Sequence, residues 1–334
     1  MTGGCGFIGS HLVARLLDER DHVSVLDDLS TGRYENLPRS PRLTFHLGSV
    51  LDASAVQRAA AGVDRIFHLA SVVGMRLASS RQDLAYRVSV EGTSTVLAAT
   101  GSRPVVIFSS SSVYPDVHPR VHRESDHLST EAALVYDGGQ PGYACGKLGL
   151  EQLAGKESRN GRRVLIVRPF NVVGARQSSA YGMVLPTFIE SARAGRPLRV
   201  YDDGEQTRTF ADITMFVDCL FRLVDRDRAW MPPGNIFNIG STESTTINRL
   251  ADLVREATGA RVPVIYVPYE VVFPGRRDVR SRLPDTTRLE TVLGAPEWPR
   301  VTDIVRRLCS APTSPLHYQP KARVNPLAYG TRRS

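Results

Sequence analysis

The chain has 334 residues, 42% of them hydrophobic and 23% charged, with a net charge of +8. That length can bury a large core, as two domains or as one α/β domain with a smaller partner. No apolar run is long enough to span a bilayer, so a membrane role is not expected. The four cysteines, Cys5, Cys145, Cys219 and Cys309, are scattered and form no CxxC pair. Neither a disulfide framework nor a bound metal is expected, and reduced thiols fit a cytoplasmic protein. Only three of the 42 basic residues are Lys, which leaves 39 Arg. Most of these are expected on a solvated surface, and a few at a phosphate-bearing ligand. No basic block carries interleaved aromatics, so nucleic acid is not an expected partner.

In chain order, residues 2–11 read T-G-G-C-G-F-I-G-S-H, with Gly3, Gly6 and Gly9 three apart. Ile8, Leu12 and Leu16 follow at four-residue spacing and predict an amphipathic helix. Apolar runs then predict strands at Val23–Asp27, Leu43–Leu47, 65–69, Val105–Phe108 and 164–167. Strand–helix alternation of this kind predicts an α/β protein with a Rossmann, doubly wound parallel sheet. After about Arg168 the rhythm breaks, with Gly and Pro at Gly174, Gly182, Pro186, Gly195 and Pro197. A strand near Ile236–Ile239, a helix near Ile247–Thr258 and a strand near Val264–Val267 are expected beyond it. The expected division is a dinucleotide-binding domain over 1–173, to which 210–240 return. A smaller α/β substrate domain covers 174–209 and 241–310. The Pro-rich, basic tail 311–334 lacks periodicity and is expected to be disordered.

The glycine turn, the helix and a strand ending at Asp27 together point to a dinucleotide site. Glycines let backbone approach a pyrophosphate, and the helix N-terminus offers free N–H groups and a favourable dipole. Asp27 lies about 20 residues on, where a carboxylate binds the ribose diol of NAD. Asp28 adds charge that disfavours the extra phosphate of NADP, and Arg33 is the residue that could rescue it. A strand should precede the turn, yet only Met1 and Thr2 do. The pattern therefore predicts that the chain as given is truncated, with the first strand encoded just upstream.

Tyr143-Ala-Cys-Gly-Lys147 sets a phenol and an ammonium at i and i+4, on one helix face. A free Tyr has a pKa of about 10 and is a poor base at neutral pH. A nearby Lys cation and the positive nicotinamide ring are expected to favour the phenolate and lower it. The run Ser109-Ser110-Ser111-Ser112-Val113-Tyr114 follows the expected strand Val105–Phe108. It therefore falls at the C-terminal end of a parallel strand, where ligands of open α/β sheets bind. A serine hydroxyl there can bridge a substrate oxygen and the Tyr.

These residues resemble the extended short-chain dehydrogenase/reductase superfamily, in its NAD-dependent epimerase/dehydratase branch. The motifs that carry the resemblance are TGGCGFIGSH, His68-Leu69-Ala70-Ser71, SSSSVY, YACGK and Arg168-Pro169-Phe170-Asn171-Val172-Val173-Gly174. Later ones are Tyr181 to Pro186, Gly204 to Phe210, Phe237 to Gly240 and Arg282-Leu283-Pro284-Asp285. The resemblance implies NAD as cofactor, touched by Gly3, Gly6, Phe7, Gly9, Asp27, Asp28, Leu69, Ala70 and Lys147. It implies a catalytic set of Ser110, Tyr143 and Lys147. A nucleotide-sugar would be held by Ser111, Asn171, Val184 to Pro186, Tyr201 and Arg208, with Arg276 or Arg277 as a second diphosphate clamp. It also implies a homodimer through helices near 82–99 and 143–158.

The dehydratases of this branch carry Asp-Glu after the catalytic Thr, and the related decarboxylases usually keep the Glu. Here Ser111 and Ser112 stand there, and neither can do general acid/base work at neutral pH. The leading expectation is therefore an isomerase, a 4-epimerase of a UDP- or dTDP-hexose working through a transient 4-keto sugar. The alternatives are a decarboxylase, dehydratase or ketoreductase on a similar sugar, or an NAD-binding protein without turnover. Other departures from the family pattern are Ser49, Ser89, Gly146, Thr209 and the stretch 129–140, which is expected to shape the sugar site.

Overall fold

A computed structural model of the chain describes residues 1–116, 121–231, 235–274 and 278–311. The first half alternates as the sequence predicts: α1 (Phe7–Asp18), β1 (Val23–Asp27), β2 (Leu43–Leu47), α2 (Ala53–Ala59), β3 (Ile66–His68). It continues through α3 (Met75–Ser80), α4 (Gln82–Thr100), β4 (Val105–Phe108), β5 (Val121–His122), α5 (Thr130–Tyr136), α6 (Tyr143–Arg159) and β6 (Val164–Pro169). Then come β7 (Val172–Val173), α7 (Val184–Arg193), β8 (Leu198–Tyr201), β9 (Thr207–Thr209), β10 (Ala211–Asp212), α8 (Ile213–Val224) and β11 (Ile236–Ile239). The last elements are β12 (Ser244–Thr246), α9 (Ile247–Thr258), β13 (Val264–Val267), α10 (Tyr269–Val272), β14 (Ser281–Pro284), α11 (Thr287–Leu293) and α12 (Val301–Ser310).

Strands β3, β4, β6 and β11 pair in parallel in that order, and β1 pairs in parallel with β2. Thr2 makes parallel bridges to Leu26 of β1 and His68 of β3 and joins the two groups. The central strand position of the doubly wound sheet is thus held by a single residue. Alternate strand residues face opposite ways, and both faces are covered, so the strands read as continuous apolar runs. Val25, Val106 and Leu165 pack with Leu12 and Leu16 of α1 and with Phe216 and Leu220 of α8. Their neighbours Leu26, Ile107 and Ile166 pack on the other side with Val96 of α4 and Leu150 of α6. Helices α4 and α6 lie close because α6 carries glycine where it meets α4. A Cβ at Gly146 would sit 3.0 Å from Ser89 Cβ, and one at Gly149 would sit 2.7 Å from Val90 Cγ2.

A further core gathers Phe188 of α7, Val200 of β8, Leu250 and Val254 of α9 and Ile304 of α12. Small sheets knit this part together. Strands run β12-β9-β14-β5 in one, with β8 paired to β13 and β7 to β10. Two side chains cap helices here: buried Asp212 accepts from Thr214 N and Met215 N, and half-buried Thr246 accepts from Arg249 N. Among the described residues no helix is long and apolar enough to cross a membrane, and no cluster of metal-ligating side chains occurs. Of the tail that begins at 311, residues 312–334 lie outside the described set.

Candidate active site

The glycine turn is built by close approach. Gly3 has φ +71°, and its missing Cβ would stand 2.8 Å from Ala70 N. A Cβ on Gly9 would overlap the Gly3 carbonyl, so the first turn of α1 can seat against the loop only without one. Gly6 differs: a Cβ there meets only the Gly3 oxygen, at 3.3 Å. Its open side belongs to the cavity wall, and no side chain caps α1. The first N–H groups of α1 are left for a ligand anion.

The floor behind the turn is pinned by a buried pair. Thr2 Oγ1 lies 2.7 Å from His68 Nδ1 and accepts from Ala70 N at 3.2 Å, while His68 Nε2 lies 3.0 Å from Thr93 Oγ1. Burial pushes the His68 imidazole down to about 3, so it stays neutral. Asp27 accepts from Cys5 N and Leu29 N, both at 2.9 Å. Burial raises its pKa and those two bonds pull it back. Asp27, Asp28, Leu69 and Ala70 line the same cavity as the glycines. Arg33 is not among the cavity-lining residues; its own N–H donates to the Cys5 carbonyl at 3.0 Å.

That cavity, of about 620 Å³, continues past the end of β4 to the core formed by α7, β8, α9 and α12. Ser110 begins a 3₁₀ turn just after β4, and its Oγ accepts from Ser112 N at 3.1 Å. Tyr143 opens α6, and its hydroxyl is hydrogen-bonded to Ser110. Asp137 fixes this helix start by accepting from Gly142, Ala144 and Cys145 N–H groups at 2.9–3.2 Å. Lys147 sits one turn on, 3% exposed, with Nζ donating to the Phe108 carbonyl at 2.7 Å. Its Nζ lies 5.6 Å from the Tyr143 ring centroid.

The electrostatics correct one expectation. Lys147 does not lower Tyr143 here. Burial pushes the phenol up, and the Ser110 hydrogen bond is what draws it down. Lys147 is itself pushed down to about 7 by burial, with the Glu151 carboxylate partly holding it up. A half-neutral amine committed to a carbonyl is a weak lever on the phenol.

The other expected residues spread along the cavity. Ser111, Asn171, Val184, Tyr201 and Arg208 all line it. Asn171 has φ +39° and a buried Nδ2 with no hydrogen-bond partner among the described residues. Such an orphaned donor fits a ligand acceptor. Tyr201 meets Tyr269 edge-on at 5.7 Å and Phe273 at 6.0 Å, which makes an aromatic wall. Arg208 is braced: it pairs with Asp278 at 2.7 Å and donates to the Thr207 and Val279 carbonyls. Arg276 and Arg277 lie outside the described residues.

Among the cavity residues to which the sequence assigned no role are Tyr136, Asp137 and Arg282. The first two come from the segment 129–140, expected to shape the sugar site, where Ser129 caps α5 by accepting from Ala132 N. Arg282 stood in a quoted motif, but nothing in its spacing shows that it faces a cavity.

A glycine cradle at a helix N-terminus, leading to a Ser–Tyr–Lys set at the end of a parallel sheet, defines a nicotinamide-dependent Rossmann enzyme. The chain belongs to the NAD dependent epimerase/dehydratase family, which matches residues 1–240, and NAD is its cofactor. It is 30% identical over 301 residues to UDP-N-acetyl-alpha-D-glucosaminuronate decarboxylase of Bacillus cytotoxicus, covering 87% of this chain and 89% of that one. Its fold is similar to UDP-N-acetylglucosamine 4-epimerase from Methanobrevibacter ruminantium in complex with UDP-N-acetylmuramic acid. There the TM-score is 0.80 at 26% identity, covering 92% of this chain and 95% of the other. It is equally similar to dTDP-glucose 4,6-dehydratase from Streptomyces venezuelae, with TM-score 0.80 at 27% identity and coverage of 92% and 94%.

Proposed function

We propose that the enzyme inverts carbon 4 of a nucleotide-activated sugar. One observation carries this reading: the Ser110–Tyr143–Lys147 set opens on the cavity, and Ser111 and Ser112 stand where a dehydration would need carboxylates. Gly3, Gly6, Phe7, Gly9, Asp27, Asp28, Leu69 and Ala70 would hold the cofactor. When bound, NAD supplies the hydride acceptor at carbon 4 and returns the hydride. As its phenolate, which the Ser110 side chain helps to form, Tyr143 takes the proton from the 4-hydroxyl and later gives it back. Lys147, held by the Phe108 carbonyl, stands beside the Tyr143 ring and would reach toward the cofactor. Asn171, Val184, Tyr201 and Arg208 would hold the nucleotide and diphosphate while the sugar turns over.

The separate core formed by α7, β8, α9 and α12 supports a division of labour. Residues 1–173 with 210–240 hold the dinucleotide, and 174–209 with 241–310 hold the nucleotide-sugar. A second reading, decarboxylation, is favoured by the Bacillus cytotoxicus relative. Oxidising carbon 4 of a sugar acid would make a β-keto acid; its carboxyl carbon would leave as carbon dioxide, carbon 5 would take a proton, and the hydride held by NAD would return to carbon 4. Mass spectrometry of the product decides between them. An epimer is isobaric with substrate, and a product lighter by carbon dioxide ends the epimerase reading. Tyr143→Phe should cut turnover by about a hundred- to ten-thousandfold while NAD still binds. Full activity in that variant would refute the role of the phenol.

A further inference from the structure

We propose that Arg282 and Tyr136 form an anion subsite at the sugar end of the cavity, and that the sugar this enzyme takes carries a carboxylate. This rests on the reading of the site as one for a nucleotide-sugar, and deepens it by naming the sugar class.

The observation behind it is a buried charge without a counter-ion. Arg282 is 5% exposed and lines the cavity. Its Nη1 donates to the Tyr114 carbonyl at 2.6 Å, and its Nη2 lies 3.5 Å from the Tyr136 hydroxyl, with the guanidinium 5.9 Å from that ring. Among the described residues it has no carboxylate partner. None of the residues outside that set is Asp or Glu. The other two arginines buried to this degree are each paired: Arg168 with Glu151 at 2.6 Å and Arg162 with Glu157 at 3.4 Å. A buried cation needs a partner, because desolvation without one is heavily unfavourable. When the cation forms a cavity wall, the partner comes with the ligand.

Position then says which part of the ligand. Tyr114 directly follows the Ser111–Val113 turn that begins at Ser110. Tyr136, which lies 3.5 Å from Arg282 Nη2, lines the same cavity as Ser110 and Tyr143. The guanidinium therefore faces the cavity that holds the reacting hydroxyls. In a hexuronate the carboxylate sits on carbon 5, next to the carbon that reacts, and a guanidinium fork grips a carboxylate in two-point fashion. The other anion in the cavity would be the diphosphate. Arg282 is register neighbour to Arg208 across β14 and β9, so the test must separate the two.

The test titrates NAD-loaded enzyme with UDP, UDP-glucose and UDP-glucuronate, and repeats this with the dTDP series. The subsite predicts that the uronate binds at least about tenfold more tightly than the hexose. Arg282→Gln should erase that ratio and leave UDP affinity within about twofold. Tyr136→Phe, which keeps the charge, should reduce the ratio only in part. If Arg282→Gln weakens UDP, hexose and uronate alike, the residue clamps the diphosphate and the proposal falls. If wild-type enzyme does not prefer the uronate, it falls without any variant. Should Arg282→Gln fail to fold, the wild-type ratio and Arg282→Lys, expected to keep a preference, still decide. Binding and product are read separately: a uronate preference with an unexpected product overturns the epimerase reading and leaves the subsite standing.

Discussion

Replacing Glu151 by Gln tests the support beneath the catalytic helix. Arg168 is wholly buried, and Glu151 accepts from its Nε at 2.8 Å and from its Nη2 at 2.6 Å. The same guanidinium donates to Tyr114 Oη at 2.8 Å and to the Glu124 carbonyl at 2.7 Å. Gln preserves the shape of Glu but removes the charge, and its amide donors face a guanidinium that is all donor. A buried arginine is left uncompensated, which costs about 3–5 kcal/mol. A second effect falls on Lys147, one turn away, whose cation Glu151 helps to keep. With that carboxylate gone, Lys147 loses its proton at still lower pH, and the alkaline limb of kcat moves down. Denaturant unfolding reads the first effect and the pH dependence of kcat the second. A loss under about 1 kcal/mol would refute the claim that this pair is a strained buried charge held by its partner. A double change, Glu151→Leu with Arg168→Met, should recover most of the lost stability, because it removes both charges together.

Gly9→Ala puts a methyl into the Gly3 carbonyl, so the turn must shift. NAD affinity and thermal midpoint should both fall, as read by cofactor titration and melting. Gly6→Ala meets only one atom, at 3.3 Å. Its stability should stay within about 0.5 kcal/mol of wild type while NAD binding weakens, since the methyl projects where the pyrophosphate must approach. Lys147→Met probes the buried amine. Its folded pKa, about 7, lies below the ordinary 10.5, so between those values the unfolded chain binds more protons. Wild type should therefore gain stability relative to the variant as pH rises through that window, by up to about 1.4 kcal/mol per pH unit. The gain is absent below about pH 7. Denaturant unfolding of both proteins at pH 7 and pH 9 measures it, and a difference that does not change with pH would show that Lys147 titrates normally.

The first half of the fold was legible because a strand buried on both faces announces itself as an apolar run. Val23–Asp27, Val105–Phe108 and Ile236–Ile239 lie where the pattern placed them, as does the half-exposed strand Leu43–Leu47. Two bounds moved by a residue or two: the strand expected at 65–69 spans Ile66–His68, and that expected at 164–167 continues to Pro169. The second half was harder for a physical reason. Strands such as Thr207–Thr209, Ser244–Thr246 and Ser281–Pro284 are short and polar. They form only because neighbours far along the chain supply their hydrogen bonds, which no local window shows. The site divides similarly. Ser110, Tyr143 and Lys147 were readable because spacing on one helix and a strand end brings them together. Arg282 and Tyr136 meet at a sequence separation of 146, so their pairing is a product of topology alone. The state of Tyr143 was misjudged because spacing reports that a cation is near and says nothing of how dry both groups are.

These contrasts separate what the scaffold shares from what it varies. The dinucleotide end is held by main-chain geometry: glycines with no room for a Cβ, a bare helix N-terminus, and Thr2 with His68 locking the loop behind them. The end proposed for the sugar is built by side chains from the segment 129–140 and from β14, beside a helix whose start is fixed by Asp137. Substituting Asp137 would therefore disturb two things at once, the angle of Tyr143 and the wall that carries Tyr136. Asp137→Asn should lower kcat more than it weakens NAD, since it frees the start of α6 and leaves the glycine turn untouched. An equal loss in both would mean that Asp137 supports the whole cavity and that the two ends are not mechanically separate.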